Sequence, residues 1–216
     1  MQGTRSLVLA STSTYRRSLL ERLHLGFETA RPQVEESRQP DEAPEAMVER
    51  LAVAKAADVA RHYPDALIIG SDQCAAVGHR VLGKPGGHEQ ALEQLGTLSG
   101  QRVVFHTGLC LIDSAAGRQW RGVVPYTVHF REFETAEIER YLRLEQPYDC
   151  AGSFKSEGLG IVLFRRMEGD DPTALIGLPL ILLCSWLREA GLALPPDATQ
   201  PKRRPSGSTS WLQDPV

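Results

Sequence analysis

The turn between the first predicted strand and the first predicted helix carries the residues best suited to binding an anion. Its hydroxyls come from Ser11, Ser13 and Thr14, and the first turn of the helix adds Arg16 and Arg17. Cations at that end of a helix oppose its macrodipole, which favours negative charge. A bound phosphate would offset the repulsion between these arginines and the helix dipole, because hydroxyls, backbone N–H groups and a bidentate arginine together form an anion-binding site. The local pattern also fits a plain Ser/Thr N-cap with two solvated arginines, and no G-x-x-x-x-G-K-[ST] loop is present.

A lysine interrupts the apolar stripe of the second predicted helix. Its neighbours on that face, four residues apart, are Met47, Leu51, Lys55 and Val59. Two fates are open to Lys55: its aliphatic stem carries the charge out to solvent, or the ammonium group reaches a buried anion at the edge of the sheet. Glu36 precedes this helix in an acidic stretch that is also consistent with simple exposure to solvent.

Asp72 follows an apolar strand predicted at 66–69, directly after Gly70 and Ser71. Ligands of open α/β sheets bind outside the carboxyl ends of the strands. A carboxylate at that position is therefore suited to hold a metal ion or to act as a general base. The alternative is that Ser71 and Asp72 only form a turn.

Two glycine-containing loops add further charged groups. Lys84 lies in the loop 83–87, whose small residues allow a phosphate to approach closely, and the loop 151–158 carries Lys155 and Glu157. Basic groups for phosphates beside carboxylates for a divalent ion indicate a polyphosphate ligand bound with Mg²⁺ or Mn²⁺. The six scattered histidines show no spacing typical of a zinc site.

The elements that must hold these residues alternate between strand and helix along the chain. The patterns predict strands at 6–10, 66–69, 102–112, 118–131 and 160–167, and helices at 14–24, 44–63, 88–97, 135–144 and 177–190. The strands 102–112 and 118–131 are joined by a short turn and should form a long central hairpin. This order predicts one α/β domain, a mixed twisted sheet flanked by helices.

Length and composition set the outer limits of the interpretation. The 216 residues predict one folded domain at 1–194, followed by a proline-rich tail at 195–216 with too few apolar residues to order itself. A net charge of -3 gives no general attraction for nucleic acid or for an anionic membrane. The most apolar stretch, 174–187, is too short to span a bilayer. Four cysteines without close partners predict reduced thiols and a cytoplasmic location.

With these residues taken together, the sequence resembles the Maf family of nucleotide pyrophosphatases over about residues 5–193. The matching segments occur in the family's order, at 9–20, 34–36, 50–56, 70–73, 83–85 and 176–179. The branch that it resembles is the one described as 7-methyl-GTP pyrophosphatase, because of the residues at 71–73 and 150–160. Two positions differ from common family residues: Thr14 stands where proline is frequent, and Tyr15 where this branch often has tryptophan.

The resemblance implies a fold like that of Maf and inosine-triphosphatase proteins. It also implies a hydrolase that cleaves the α–β phosphoanhydride of 7-methyl-GTP to the monophosphate and pyrophosphate. Asp72 would be the proton acceptor, assisted by Lys55 and Lys84, and the divalent cation, Mg²⁺ or Mn²⁺, would be held by Glu36 and Asp72. The implied substrate-binding residues are Ser11, Ser13, Tyr15, Arg16, Gln73, Lys155 and Glu157.

The implied base site is chemically consistent with 7-methylguanine, whose ring is cationic. Such a ring favours an aromatic face and a carboxylate, which Tyr15 and Glu157 supply, and Gln73 has both a donor and an acceptor for the ring edge. Two alternatives remain open: the same chemistry on dTTP, UTP or another modified nucleotide, and a non-enzymatic regulator that binds a nucleotide and a cell-division partner. A small-molecule nucleotide is the expected partner in each case, and a homodimer is also left open.

Overall fold

The central strand β3 (Ala66–Val77) organises the fold, which the computed structural model describes for residues 5–197. Along one edge of β3, the strand β5 (Arg102–Asp113) pairs antiparallel over almost its whole length. A tight turn leads from β5 into β6 (Arg118–Phe130), and β7 (Phe164–Glu168) pairs with β6. The predicted long central hairpin is therefore confirmed.

The other edge of β3 is divided between two partners. Residues 66–69 pair parallel with β1 (Ser6–Ala10), which in turn pairs with β2 (Glu28–Ala30). Residues 75–77 pair antiparallel with β4 (Arg80–Leu82). Within residues 5–197 no strand pairs with this edge between 70 and 74, so the sheet has a gap there.

Helices cover both faces of the sheet. They are α1 (Thr14–Glu21), α2 (Pro44–Ala60), α3 (His88–Leu98), α4 (Thr135–Glu145), α5 (Pro172–Ile176) and α6 (Leu180–Glu189). One apolar cluster joins α2 to one face of β1, β3 and β5, and a second joins α1 and α6 to the other face. A third holds α3 and α4 against the far half of the hairpin. The predicted α/β class, a mixed sheet flanked by helices, is confirmed.

Two glycines allow α2 to approach the sheet closely. A Cβ atom on Gly70 of β3 would lie 2.2 Å from the carbonyl oxygen of Ala52, and one on Gly108 of β5 would lie 2.1 Å from that of Val48. Both distances are far inside van der Waals contact, so only glycine fits. The helix can therefore lie directly on β3, which brings its side chains within reach of those on the strand.

Five predicted boundaries were wrong by three residues or more. Two of them are helix ends, since the helices predicted at 14–24 and 44–63 end at Glu21 and Ala60. The strand predicted at 66–69 continues to Val77, so Asp72 lies within β3 rather than in a turn after it. The residues after 69 include a glycine and polar side chains, which have a low strand propensity. They are nevertheless in a strand because their backbone groups pair with β5. The strand predicted at 160–167 begins only at 164, after a 3₁₀ turn at Leu159–Leu163. The helix predicted at 177–190 begins at Leu180, because Gly177 has a φ of +121° and Pro179 follows it.

Leu194, the predicted last residue of the domain, packs against the apolar cluster beside α6. Of the predicted tail, residues 198–216 lie outside the described residues. None of the helices within 5–197 combines the length and the apolar character needed to cross a membrane.

Candidate active site

A single cleft of about 1040 Å³ opens at the gap in the sheet edge and contains all of the predicted site residues. They are Ser11, Ser13, Tyr15, Arg16, Glu36, Lys55, Asp72, Gln73, Lys84, Lys155 and Glu157. One wall comes from the end of β1, the start of α1 and the face of α2, and the other from the loops that contain residues 83–84 and 149–157. Residues more than a hundred positions apart therefore share one cavity.

Lys55 and Asp72 form a buried ion pair in the lining of the cleft. Lys55 Nζ lies 2.6 Å from Asp72 Oδ1 and 3.0 Å from Glu36 Oε1. Lys55 is 5% exposed and Asp72 is 7% exposed. The ammonium group therefore does not extend to solvent, and its burial is compensated because it has two carboxylate partners. Glu36 is itself exposed, but it is tied to the cleft by this contact.

The turn before α1 forms the predicted helix cap, and its role in binding an anion stays a prediction. Ser13 caps the helix, its Oγ accepting a hydrogen bond from the Arg16 backbone N–H at 3.3 Å, and Ser11 Oγ accepts one from Ser13 N at 3.1 Å. Arg16 is not simply solvated, because its Nε donates to the carbonyl oxygen of Gly177 at 2.9 Å. Desolvation lowers the pKa of the Arg16 guanidinium, whereas the nearby Asp72 and Glu36 carboxylates act to raise it.

Gly177 is a positioning residue for which the sequence had given no role. Its carbonyl oxygen accepts from Arg16 Nε and lies 2.9 Å from the buried hydroxyl of Ser71, which is also 2.9 Å from the carbonyl oxygen of Gly108. Ser71 thus links β3 to β5 and to the α5–α6 turn beneath the arginine. Gly177 does lie in the family segment at 176–179, but Arg16 and Ser71, which donate to its carbonyl oxygen, are more than a hundred residues away in sequence.

The Gln73 amide is held in one orientation by three acceptors. Its Nε2 lies 2.7 Å from the carbonyl oxygen of Ala174, 3.0 Å from that of Leu175 and 3.0 Å from Thr107 Oγ1. The nitrogen must be on this side, because a carbonyl oxygen cannot accept from another carbonyl. The part of Gln73 left for a ligand is therefore its carbonyl oxygen, an acceptor.

Tyr15 lines the same cleft and lies among acidic groups. Burial is the main cause that raises the pKa of its hydroxyl, and Cys150, Asp149 and Glu157 each add to the rise. Burial also raises the pKa of the Cys150 thiol to about 12, so this thiol is neutral at neutral pH and is not a ready nucleophile. Asp149 lines the cleft and was not among the predicted residues, although it directly precedes the matched segment 150–160.

The remaining predicted residues lie at the rim. Lys84 is exposed on its loop, and a hydrogen bond of 3.0 Å from Gly86 N to the Tyr148 carbonyl oxygen ties that loop to the one that follows α4. Lys155 Nζ lies 4.0 Å from Glu145 Oε1, and Glu157 is exposed, with Ser156 Oγ donating to its Oε2 at 3.1 Å. These side chains can reorient toward a ligand at little cost.

The charges around the cleft fall into two groups. Lys55 is paired with Asp72 and Glu36, and the Arg16 guanidinium interacts with the same two carboxylates. The Tyr15 hydroxyl interacts instead with Cys150, Asp149 and Glu157. In the described part of the chain no three His, Cys, Asp or Glu residues form a group that could enclose a metal ion. Glu36 and Asp72, both in contact with one ammonium group, fit a divalent ion that takes its other ligands from a phosphate.

Comparisons with known proteins identify relatives of the chain. The sequence model of the "Maf-like protein" family matches residues 6–190. A protein of Alkalilimnicola ehrlichii named 7-methyl-GTP pyrophosphatase is 58% identical over 188 residues, which are 87% of this chain and 94% of that one. One of the same name from Alcanivorax borkumensis is 53% identical over 192 residues, 89% of this chain and 98% of that one. Among solved structures, a HAM1 protein from Coxiella burnetii aligns with a TM-score of 0.49 and 14% identity, over 86% of this chain and 100% of that one.

Proposed function

The chain belongs to the Maf family, and we propose from this that it is a nucleotide pyrophosphatase that hydrolyses the α–β phosphoanhydride of 7-methyl-GTP. The products are the monophosphate and pyrophosphate. One observation carries the proposal: the buried Lys55–Asp72 pair lines a cleft that also contains further cations, an aromatic ring and further carboxylates. The names of relatives more than 50% identical to the chain support the choice of substrate.

Asp72 is the general base in this proposal. Lys55 engages Oδ1, and the second carboxylate oxygen, Oδ2, accepts a proton from the water that attacks the phosphorus. In the free chain the ion pair fixes the carboxylate in place before the nucleotide binds, because it joins the strand β3 to the helix that packs on it. A general base in such a position contributes about 10²–10⁴-fold to the rate.

The cations that line the cleft bind the triphosphate. Arg16 presents a fixed guanidinium, since Gly177 holds its Nε, and Lys84 and Lys155 reach in from the opposite loops. These groups neutralise the charge that develops on the phosphate oxygens in the transition state. A divalent cation, Mg²⁺ or Mn²⁺, held by Glu36 and Asp72 would add charge neutralisation and orient the phosphates.

The base lies beside Tyr15 in this proposal. Methylation at N7 makes the guanine ring cationic, so an aromatic face and a nearby carboxylate stabilise it more than they stabilise a neutral base. Glu157 and Asp149 supply that negative charge beside Tyr15. The Gln73 carbonyl oxygen, fixed by the contacts of its amide nitrogen, accepts from an N–H group on the edge of the guanine ring.

Pyrophosphate release from a panel of nucleotides tests this function. Pure protein is assayed with 7-methyl-GTP, GTP, dTTP and UTP, each with Mg²⁺ or Mn²⁺, and 7-methyl-GTP should give the highest kcat/KM. A higher kcat/KM for dTTP or UTP would favour the first alternative substrate class. Nucleotide binding with no pyrophosphate released from any of the four would favour the non-enzymatic regulator.

Two further expectations accompany the proposal. A cytoplasmic location agrees with its four free cysteines, because disulfides are rare in reducing compartments. The homodimer stays a prediction, and light scattering of the purified chain measures it.

A further inference from the structure

Lys55 lies between the two carboxylates that would hold a metal ion. Its Nζ is 2.6 Å from Asp72 Oδ1 and 3.0 Å from Glu36 Oε1, and it comes from a helix that the sheet holds closely at Gly70 and Gly108. Oxygen ligands of Mg²⁺ lie about 2.1 Å from the ion. The ammonium group and a divalent ion therefore cannot both lie midway between these two oxygens.

The charges at this point are already balanced in the free chain. The two carboxylates of Glu36 and Asp72 carry the ion pair with Lys55, and the Arg16 guanidinium interacts with both of them. A divalent cation added here meets two positive groups and no excess of negative charge. Like charges within a few ångströms repel strongly in a partly buried site, so the free chain is a poor metal site.

We propose that the divalent cation enters this cleft only together with the nucleotide, because Lys55 occupies its position in the free chain. The inference rests on the proposed function, since it takes a nucleoside triphosphate as the ligand that accompanies the ion. The triphosphate supplies the missing negative charge and the missing oxygen ligands. It also supplies a new partner for Lys55, whose ammonium turns from the carboxylates to a phosphate oxygen.

The two cations of the site differ in their freedom to make this change. Arg16 is anchored by the hydrogen bond from its Nε to Gly177 and stays in place. Lys55 ends in a point charge on a flexible four-carbon stem, and its ammonium contacts the two carboxylates themselves. Lys55 is thus the group that can move when the ion and the phosphates arrive.

Water-proton relaxation with Mn²⁺ as the probe tests the proposal without any turnover. The relaxation enhancement rises when Mn²⁺ is on the slowly tumbling protein, and it does not rise when Mn²⁺ is on free nucleotide. Mn²⁺ is titrated into the wild-type chain alone and with the α,β-methylene analogue of 7-methyl-GTP, which cannot be cleaved. We expect the analogue to tighten Mn²⁺ binding to the protein by at least about a hundredfold.

The variant Lys55→Met removes the ammonium group and keeps the stem. It should bind Mn²⁺ without nucleotide at least about tenfold more tightly than the wild type, because one of the two repelling cations is gone. Lys155→Met is the matched control, since Lys155 is a cation of the same cleft whose Nζ lies 4.0 Å from a different carboxylate, that of Glu145. This variant should leave Mn²⁺ binding to the free chain unchanged. Circular dichroism checks the folding of both variants, and Lys55→Gln replaces Lys55→Met if the latter unfolds.

Three results would overturn the proposal. These are tight Mn²⁺ binding to the wild type without the analogue, no protein-bound Mn²⁺ with the analogue, and a folded Lys55 variant that binds Mn²⁺ no better than the wild type. The proposed function fails on a separate measurement, the absence of pyrophosphate release by the wild-type chain, which does not depend on where the ion binds first.

Discussion

Replacing Gly108 by alanine should damage the active site without touching any residue in it. Gly108 lies opposite Asp72 in the pairing of β3 with β5, under the first half of α2. An added Cβ would lie 2.1 Å from the carbonyl oxygen of Val48 and 2.9 Å from the backbone nitrogen of Glu49. These are backbone atoms, so no side-chain rotation relieves the contact and the helix itself must move.

The size of the movement sets the size of the effect. Reaching ordinary contact requires α2 to shift by more than about 1 Å, and overpacking of this kind costs about 1–3 kcal/mol of folding free energy. For a domain of this length each kcal/mol lowers Tm by about 2–4 °C, which predicts a Tm about 2–12 °C lower. Lys55 lies about two turns further along the same helix and moves with it. A misplacement of about 1 Å in catalytic groups can cost about 10²-fold in kcat/KM.

Thermal unfolding and pyrophosphate release from 7-methyl-GTP measure the two effects on one preparation. Gly96→Ala is the control, because a Cβ on that exposed residue of α3 meets no atom within 4 Å. The control should gain about 0.5–1 kcal/mol, as alanine favours a helix over glycine, and should keep full activity. A Gly108→Ala protein with wild-type Tm and wild-type kcat/KM would refute the argument that the close approach of α2 holds Lys55 on Asp72.

Four further outcomes are expected. Asp72→Asn should lower kcat by about 10²–10⁴-fold with an unchanged circular dichroism spectrum, since the amide cannot accept the proton; more than a third of wild-type kcat would remove the general-base role. Glu157→Gln should lower kcat/KM for 7-methyl-GTP by about fivefold, which corresponds to roughly 1 kcal/mol for a cation at an exposed site. The kcat/KM values for dTTP and UTP should not change. An equal loss for all nucleotides would show that Glu157 acts on the phosphates. Truncation after residue 195 should leave Tm unchanged, and a fall of several degrees would show that the tail packs on the domain. The Arg50 guanidinium lowers the pKa of Glu42 from 4.5 to about 2, so the ionised Glu42 stabilises the fold fully above pH 4.5 and loses this effect as the pH falls toward 2. Glu42→Gln should therefore flatten the dependence of Tm on pH over that range. A variant with the same pH dependence of Tm as the wild type would contradict this.

Local patterns predicted the elements that are long and strongly periodic. The hairpin of β5 and β6 and the helices α2, α3 and α4 were found with ends in error by only a few residues, because their apolar spacing is clear. The strands β2 and β4 have three residues each and carry too little pattern to be recognised. The second half of β3 was missed because its glycine and polar residues resemble a turn, and only pairing with β5 makes it a strand.

The site was predictable as a set of residues and not as a geometry. Residue type, position at element ends and the family resemblance identified the side chains that share the cleft. The contact of Lys55 with both Glu36 and Asp72 depends on how closely α2 approaches the sheet, which is a tertiary property. The fixed orientation of Gln73 depends likewise on carbonyl groups about a hundred residues away, so sequence spacing could not reveal it.

The length of β3 and β5 has a consequence for how the cleft opens. Both strands run without interruption beneath the two walls, and each contributes side chains to the apolar clusters behind both of them. A hinge between the walls would have to break their shared ladder of hydrogen bonds, so the scaffold should respond to a nucleotide as a rigid frame. Opening and closing of the cleft is then confined to the loops at its rim. We expect the rates of nucleotide entry and product release to follow the motions of residues 31–43 and 149–158 rather than a domain closure.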